Sequence, residues 1–241
     1  MTDALGQRAV FSVVLPATNS IAEPDMALLR PPGVTNQTFR FPLSGRPDNF
    51  DALLTQMRPT VALALDCQPD RIIVGYTTEF LPGGTTVASW LRSFVEKAVG
   101  CPATMASDAV PEALKTLGAK RIGIVTPYLP AEDRNVEEYF TALGFSVGGV
   151  AGLSSARKRL VGTAQISEAD VRDAFARVDE PETEALVQIG TNMVCAGFAV
   201  DLEAHHGKPV IAVNTATYWL ALRSHGITDR RGGDGVLLTR H

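Results

Sequence analysis

The chain has 241 residues, 45% of them hydrophobic and 20% charged, with a formal net charge of −4. That length buries the core of one large domain or of two half-size lobes, and the composition excludes a disordered chain. The acidic balance argues against nucleic acid as a partner, since a binder needs a basic face; Arg157-Lys158-Arg159 is a short basic cluster of the kind that more often makes a solvated loop.

Short β-branched runs alternate with helical periodicity, which predicts an α/β protein with parallel sheets. Strands are expected first at Ala9–Leu15, Thr35–Arg40 and Arg71–Gly75. Pro59 lies inside the periodic stretch Phe50–Leu65 and predicts a break or kink there. Val87, Trp90, Leu91, Phe94, Val95 and Ala98 recur at three- and four-residue spacing, a helix with Thr85 or Thr86 as its cap. After a strand at Arg121–Val125, Val136, Tyr139, Phe140 and Leu143 form a stripe stopped by Gly144. Ser146–Val150 reads as a strand, and Ser167 with Asp170 opens a helix carrying Val171, Ala174, Phe175 and Val178. Strands at Ala185–Ile189 and Val210–Val213 complete the series. Strand–helix order repeats three times over residues 8–105 and again over 118–214. Two lobes follow: residues 1–105, with 215–241 packing back on them, and residues 106–214, sharing a crevice.

In open parallel sheets ligands sit beyond the carboxyl ends of the strands. That singles out Pro16–Glu23, Gly75–Gly84, Thr126–Arg134 and Gly190–Gly197. Thr18, Asn19 and Ser20 either cap the next helix or present hydroxyl and amide donors to a carboxylate. Tyr76, Thr77, Thr78 and Glu79 occupy a strand-to-helix turn suited to an anion, without the glycine spacing of a nucleotide loop. Tyr128, on a loop stiffened by Pro127 and Pro130, either aims its phenol at a ligand or packs on the surface. Thr191 and Asn192 are donors where a strand runs into a helix. Cys195, about one turn into that helix, is either a thiol activated by the helix start or a buried inert one.

Cys67, Cys101 and Cys195 are odd in number and widely spaced, which predicts reduced thiols in a cytoplasmic setting. The polar start Met1–Arg8 lacks the apolar stretch of a secretory signal, and no window has the length of a membrane span. His205 and His206 adjoin at an exposed helix end and make a poor metal pair; His225 and His241 have no ligand at suitable spacing. No metal site is expected. Ser154 and Ser155 lack the Gly-x-Ser-x-Gly setting of a hydrolase.

These loops, with Gly207-Lys208-Pro209-Val210 and Asn214-Thr215-Ala216-Thr217-Tyr218-Trp219, resemble the aspartate/glutamate racemase superfamily, closest to its maleate cis-trans isomerases and arylmalonate decarboxylases. The resemblance runs from about Phe11 to Leu238. It implies two pseudo-symmetric α/β lobes holding a small carboxylate or dicarboxylate, no cofactor, and a homodimer or homotetramer. The chemistry it implies is isomerisation, racemisation or decarboxylation by one or two cysteines acting as nucleophile, base or acid. Here the two cysteine positions fall on Gly75 and Gly190. Asn19, Tyr128, Thr77 and Thr191 match the family's carboxylate-binding positions, so the binding apparatus is kept better than the chemistry. The residues left to act on a substrate are Cys195, Tyr128 and Glu79. The superfamily also has a branch linked to ectoine and hydroxyectoine catabolism, and a binding protein without turnover is a third reading.

Overall fold

A computed structural model describes residues 6–43, 50–154, 162–230, 232–233 and 235–241. Arg157–Arg159 and Ser155 lie outside the described residues. The elements run β1 (Ala9–Pro16), α1 (Ala22–Leu29), β2 (Val34–Phe41), α2 (Phe50–Leu63), β3 (Arg71–Val74), α3 (Gly84–Val99), β4 (Ala103–Met105) and α4 (Ala106–Leu117). The second half repeats that order: β5 (Arg121–Thr126), α5 (Pro130–Ala142), β6 (Ser146–Gly152), α6 (Glu168–Val178), β7 (Ala185–Gln188), α7 (Ala199–His206), β8 (Val210–Ala212) and α8 (Val213–Ser224). A short helix, α9 (Gly235–Arg240), follows.

The strands form two four-stranded parallel sheets, ordered β2-β1-β3-β4 and β6-β5-β7-β8. Each strand of the two central pairs is covered on both faces, so its residues alternate between two cores and not between core and water. Phe11, Val13, Leu15 and Ile73 face a central cluster with Met26 of α1, Val110 of α4, Phe140 of α5 and Tyr218 of α8. The same cluster takes Ile122, Ile124 and Val187 from the second sheet. The opposite faces are closed by α2 and α3, with Val14, Ile72 and Val74 against Leu53, Met57 and Leu91, and by α6 and α7, with Val125 and Leu186 against Val171, Phe175 and Leu202. Burying side chains of this size stabilises by about 1.5–3 kcal/mol each, which makes the sheets a rigid base for their loops.

The fold class agrees with the sequence reading, with five local corrections. The first sheet has a strand that was not expected, β4, only three residues long and too short for period-two alternation to show, and β3, β7 and β8 end one residue early, leaving Gly75, Ile189 and Val213 outside strands. α2 continues through Pro59 without ending. α3 starts at Gly84, ahead of Thr85 and Thr86, with no side-chain cap; its buried stripe is Gly84, Ala88, Leu91 and Val95, while Trp90 is 57% exposed. The stretch Gly190–Cys195 is not helical, and a single 3-10 turn, Ala196–Phe198, precedes α7. His206 is not exposed: its Nδ1 lies 2.7 Å from Asp179, which also accepts from Lys208. By contrast, Ser167 Oγ accepts the Asp170 amide as expected of a capping box, and Gly144, at φ +88°, follows α5.

Candidate functional site

Strand order reverses between β1 and β3, and again between β5 and β7. At such a reversal the following connections leave in opposite directions and open a crevice. The four loops leaving the carboxyl ends of those strands meet there, and hydrogen bonds tie one sheet's loops to the other's.

Asn19 is 2% exposed and serves both sides. Its Oδ1 accepts the amides of Ile21 and Ala22 at the start of α1, and its Nδ2 donates to Thr191 Oγ1 at 3.0 Å. Thr191 Oγ1 in turn donates to the Gly75 carbonyl at 3.1 Å. Alongside, Asn192 Oδ1 accepts the Ser20 amide at 2.9 Å and its Nδ2 donates to the Thr18 carbonyl at 3.3 Å. The second contact between halves is a hydroxyl pair, Thr77 Oγ1 and Tyr128 Oη, 2.7 Å apart. Arg40, at the end of β2, donates to the Asn19 carbonyl and pairs with Glu23, placing a cation beside the first loop.

Apolar surface adjoins these donors. The Tyr76 ring meets Phe41 and Phe80 edge-on at 6.1 Å, and Phe80 lies 4.9 Å from the Tyr128 ring. Asn135 of α5 holds the Phe80 carbonyl at 2.7 Å. The Tyr128 loop is fixed from below: Thr126 Oγ1 donates to Asp133 and accepts the Tyr128 amide at 3.2 Å. The amide of Leu129 donates to Glu132 at 2.9 Å. Asp133 and Glu132 stand in the first turn of α5, where acids are favoured by the exposed amides of the helix start.

A side chain at either glycine of the expected cysteine positions would have to displace a neighbour. A Cβ on Gly75 would overlap Leu15 Cδ2. Gly190 adopts φ +104°, a conformation L-residues avoid, and a Cβ there would stand 2.6 and 2.7 Å from the Pro127 ring and 3.7 Å from Tyr128 Oη. Of the two readings of Cys195, the activated thiol is corrected and the buried one holds: Cys195 is 1% exposed among Val171, Phe175, Met193 and Leu202. Burial, then the nearby Asp25 charge, pushes its pKa up, the reverse of activation. Thr191 and Asn192 likewise sit in a turn and not at a helix start.

Thr78 is buried, donating to the Gly84 carbonyl at 3.3 Å beneath the start of α3. Glu79 is fully buried, and neither carboxylate oxygen has a hydrogen-bond partner among the described residues. Burial pushes its pKa up to about 7, only partly opposed by its own amide and that of Thr78, with Asp108 adding to the rise. Those amides lie near without reaching hydrogen-bond geometry. Among the described residues no group of His, Cys, Asp and Glu has the makings of a metal site, and no helix is long and apolar enough to cross a membrane.

Three contributors escaped the sequence reading. Asp25 of α1 accepts from Asn214 Nδ2 at 2.8 Å, and burial raises its pKa to about 6. Asn214 also holds the Thr191 carbonyl, at 3.0 Å. Asp133 acts through Thr126. An acid in a first helical turn looks like ordinary capping in one dimension, so Asp25 and Asp133 carried no distinguishing signal, whereas Asn214 opens a segment already notable for its likeness to a family.

Residues 47–238 match the family model described as arylmalonate decarboxylase. The chain belongs to that family. Among curated relatives it is 27% identical over 239 residues to a maleate isomerase of Nocardia farcinica, covering 95% of this chain and 94% of that protein. It is 25% identical over 187 residues to the arylmalonate decarboxylase of Bordetella bronchiseptica, 75% of each chain. Among solved structures, a variant of the maleate isomerase Iso from Pseudomonas putida S16 with maleate superposes with a TM-score of 0.83, at 20% identity, over 98% of both chains. The two-lobe arylmalonate decarboxylase fold, with its paired parallel sheets, is therefore the frame in which the crevice stands.

Proposed function

We propose that the crevice binds a small carboxylate or dicarboxylate without a cofactor, and that turnover there proceeds by acid–base steps that involve no cysteine pair. The observation carrying this reading is the seam of donors drawn from both sheets: Thr77 with Tyr128, and Asn19 with Thr191. An entering carboxylate takes the acceptor role that Thr77 and Tyr128 now fill for each other, so both hydroxyls donate to it. The amides of Thr77 and Thr191 have no acceptor among the described residues and add to the same pole. Hydrogen bonds to an ionised acceptor contribute about 1.5–3 kcal/mol each, enough to hold a small acid with three or four of them.

Glycine at positions 75 and 190 supplies no thiol where the family resemblance expects one, and burial keeps Cys195 protonated. The proton carriers this reading assigns are the Tyr128 phenol at the ligand and the Glu79 carboxyl behind the loop. A carboxyl titrating near neutral pH is matched to exchanging protons at that pH. The same glycines favour a second reading, a carboxylate-binding protein without turnover. Calorimetry with maleate and phenylmalonate, beside product analysis by NMR, separates the two. Binding is expected for at least one of these acids, and any turnover should survive Cys195→Ala. A turnover abolished by that substitution would overturn the thiol-free account. Light scattering tests the homodimer or homotetramer that belongs to the family reading.

A further inference from the structure

We propose that Asp25 is a positioning residue: through the side-chain amide of Asn214 it sets the loop after β7, and so makes the crevice's hold on a carboxylate depend on pH. This rests on the carboxylate-binding reading above and names a control built into the same site.

Asn214, in the first turn of α8, is 1% exposed. Its Nδ2 spends both hydrogens on segments far apart in the chain, Asp25 Oδ2 at 2.8 Å and the Thr191 carbonyl at 3.0 Å. Thr191 is thus held from two directions, by Asn214 at its carbonyl and by Asn19 and Gly75 at its hydroxyl. Asn214 Oδ1 is buried and has no partner among the described residues. An ionised Asp25 fixes which way this amide faces, because turning it over would set Oδ1 against two acceptors, the carboxylate and the Thr191 carbonyl.

Protonation of Asp25 weakens that preference, because it removes the charge from one of the two acceptors and with it the charge-assisted bond from Nδ2. The carboxyl then offers an O–H for which the unpartnered Oδ1 is an acceptor, so turned-over amides gain population. In these Nδ2 no longer reaches the Thr191 carbonyl, and the loop's support from behind loosens. The titration falls within the physiological range, since burial lifts the Asp25 carboxyl to about 6 and the Asn214 bond only partly opposes this. Little else faces the group. On α1, Glu23 is taken up by Arg40; from the loop after β7 comes the Cys195 thiol, kept neutral by burial; α8 contributes the uncharged Asn214.

The test uses the ligand-free full chain, with the Asn214 side-chain amide and the Thr191 backbone amide followed by ¹⁵N NMR from pH 5 to 8. Both are expected to titrate together with a midpoint near 6 in the wild type, to stay flat in Asp25→Asn, and to titrate again in Asp25→Glu. Resonances that do not move in the wild type, or that move equally in Asp25→Asn, would overturn the proposal. Trifluoroacetate, ionised throughout this range, provides the binding arm. Its affinity should fall roughly three- to tenfold from pH 8 to pH 5, as expected for the loss of one supporting hydrogen bond, and should not change in Asp25→Asn. An affinity independent of pH in the wild type would also overturn it. A wild type that binds no trifluoroacetate, with the NMR titration intact, removes the carboxylate reading and leaves the Asp25 coupling standing.

Discussion

Gly75 and Gly190 show why this chain cannot be treated as a thiol enzyme missing two atoms. Their vacant side-chain positions are filled from neighbouring segments, by Leu15 Cδ2 in one case and the Pro127 ring in the other. Restoring a cysteine therefore meets steric resistance: Gly75→Cys is expected to destabilise by about 1–3 kcal/mol through overpacking. Gly190→Cys adds a left-handed backbone at φ +104°, itself costing about 1–3 kcal/mol. Urea unfolding should show both losses; wild-type stability in either variant would mean that these neighbours yield. Cys195 teaches the complementary lesson. A thiol a few residues past a strand resembles an activated one in sequence, but Gly190 turns the chain away and the helix starts only afterwards, leaving the sulfur in a core. Of the two roles the sequence offered for Asn19, the structure shows the local one: Oδ1 holds the amides at the start of α1, while Nδ2 is engaged by Thr191 of the other half.

At the scale of elements, periodicity located the long helices and the buried strands, since both depend on spacing alone. It missed β4, whose three residues carry no period, and displaced the inner face of α3 onto Trp90. α3 starts at Gly84 for a packing reason: a Cβ there would come 2.7 Å from the Thr78 carbonyl and 3.2 Å from the Tyr139 ring. No capping residue announces such a start. The loop that α3 covers carries Glu79, and this has a measurable consequence. A carboxyl whose pKa rises from 4.5 unfolded to about 7 folded binds its proton more tightly in the native state. Its stabilising contribution is full below pH 4.5 and is lost as pH climbs through 7, about 3 kcal/mol over that window. Glu79→Gln should flatten this part of the pH–stability curve, as followed by thermal or urea unfolding; a decline that persists unchanged would assign it to another group. The capping box of α6 gives a simpler check. Ser167→Ala should cost about 1 kcal/mol without altering ligand binding, because that helix start lies outside the site.

For the molecule as a whole, the decisive feature is the doubled strand order, which places four loop ends at two matching reversals. The repeated element order made this arrangement legible in the sequence, and the likeness of the loops to a known family agreed with it. What remained hidden were the contacts across the seam, since residues 19 and 191, or 77 and 128, become neighbours only when both halves close. Neither partner's character reveals the other in one dimension. The claim that these ends form one carboxylate site is tested most directly by a double-mutant cycle on calorimetric affinity for maleate, using Thr77→Ala, Tyr128→Phe and both together. If the hydroxyls grip the same ligand, each single change weakens binding about tenfold or more, and the double change weakens it by less than the product of the two. Unchanged affinity in the single variants, or losses that multiply independently, would contradict a shared site.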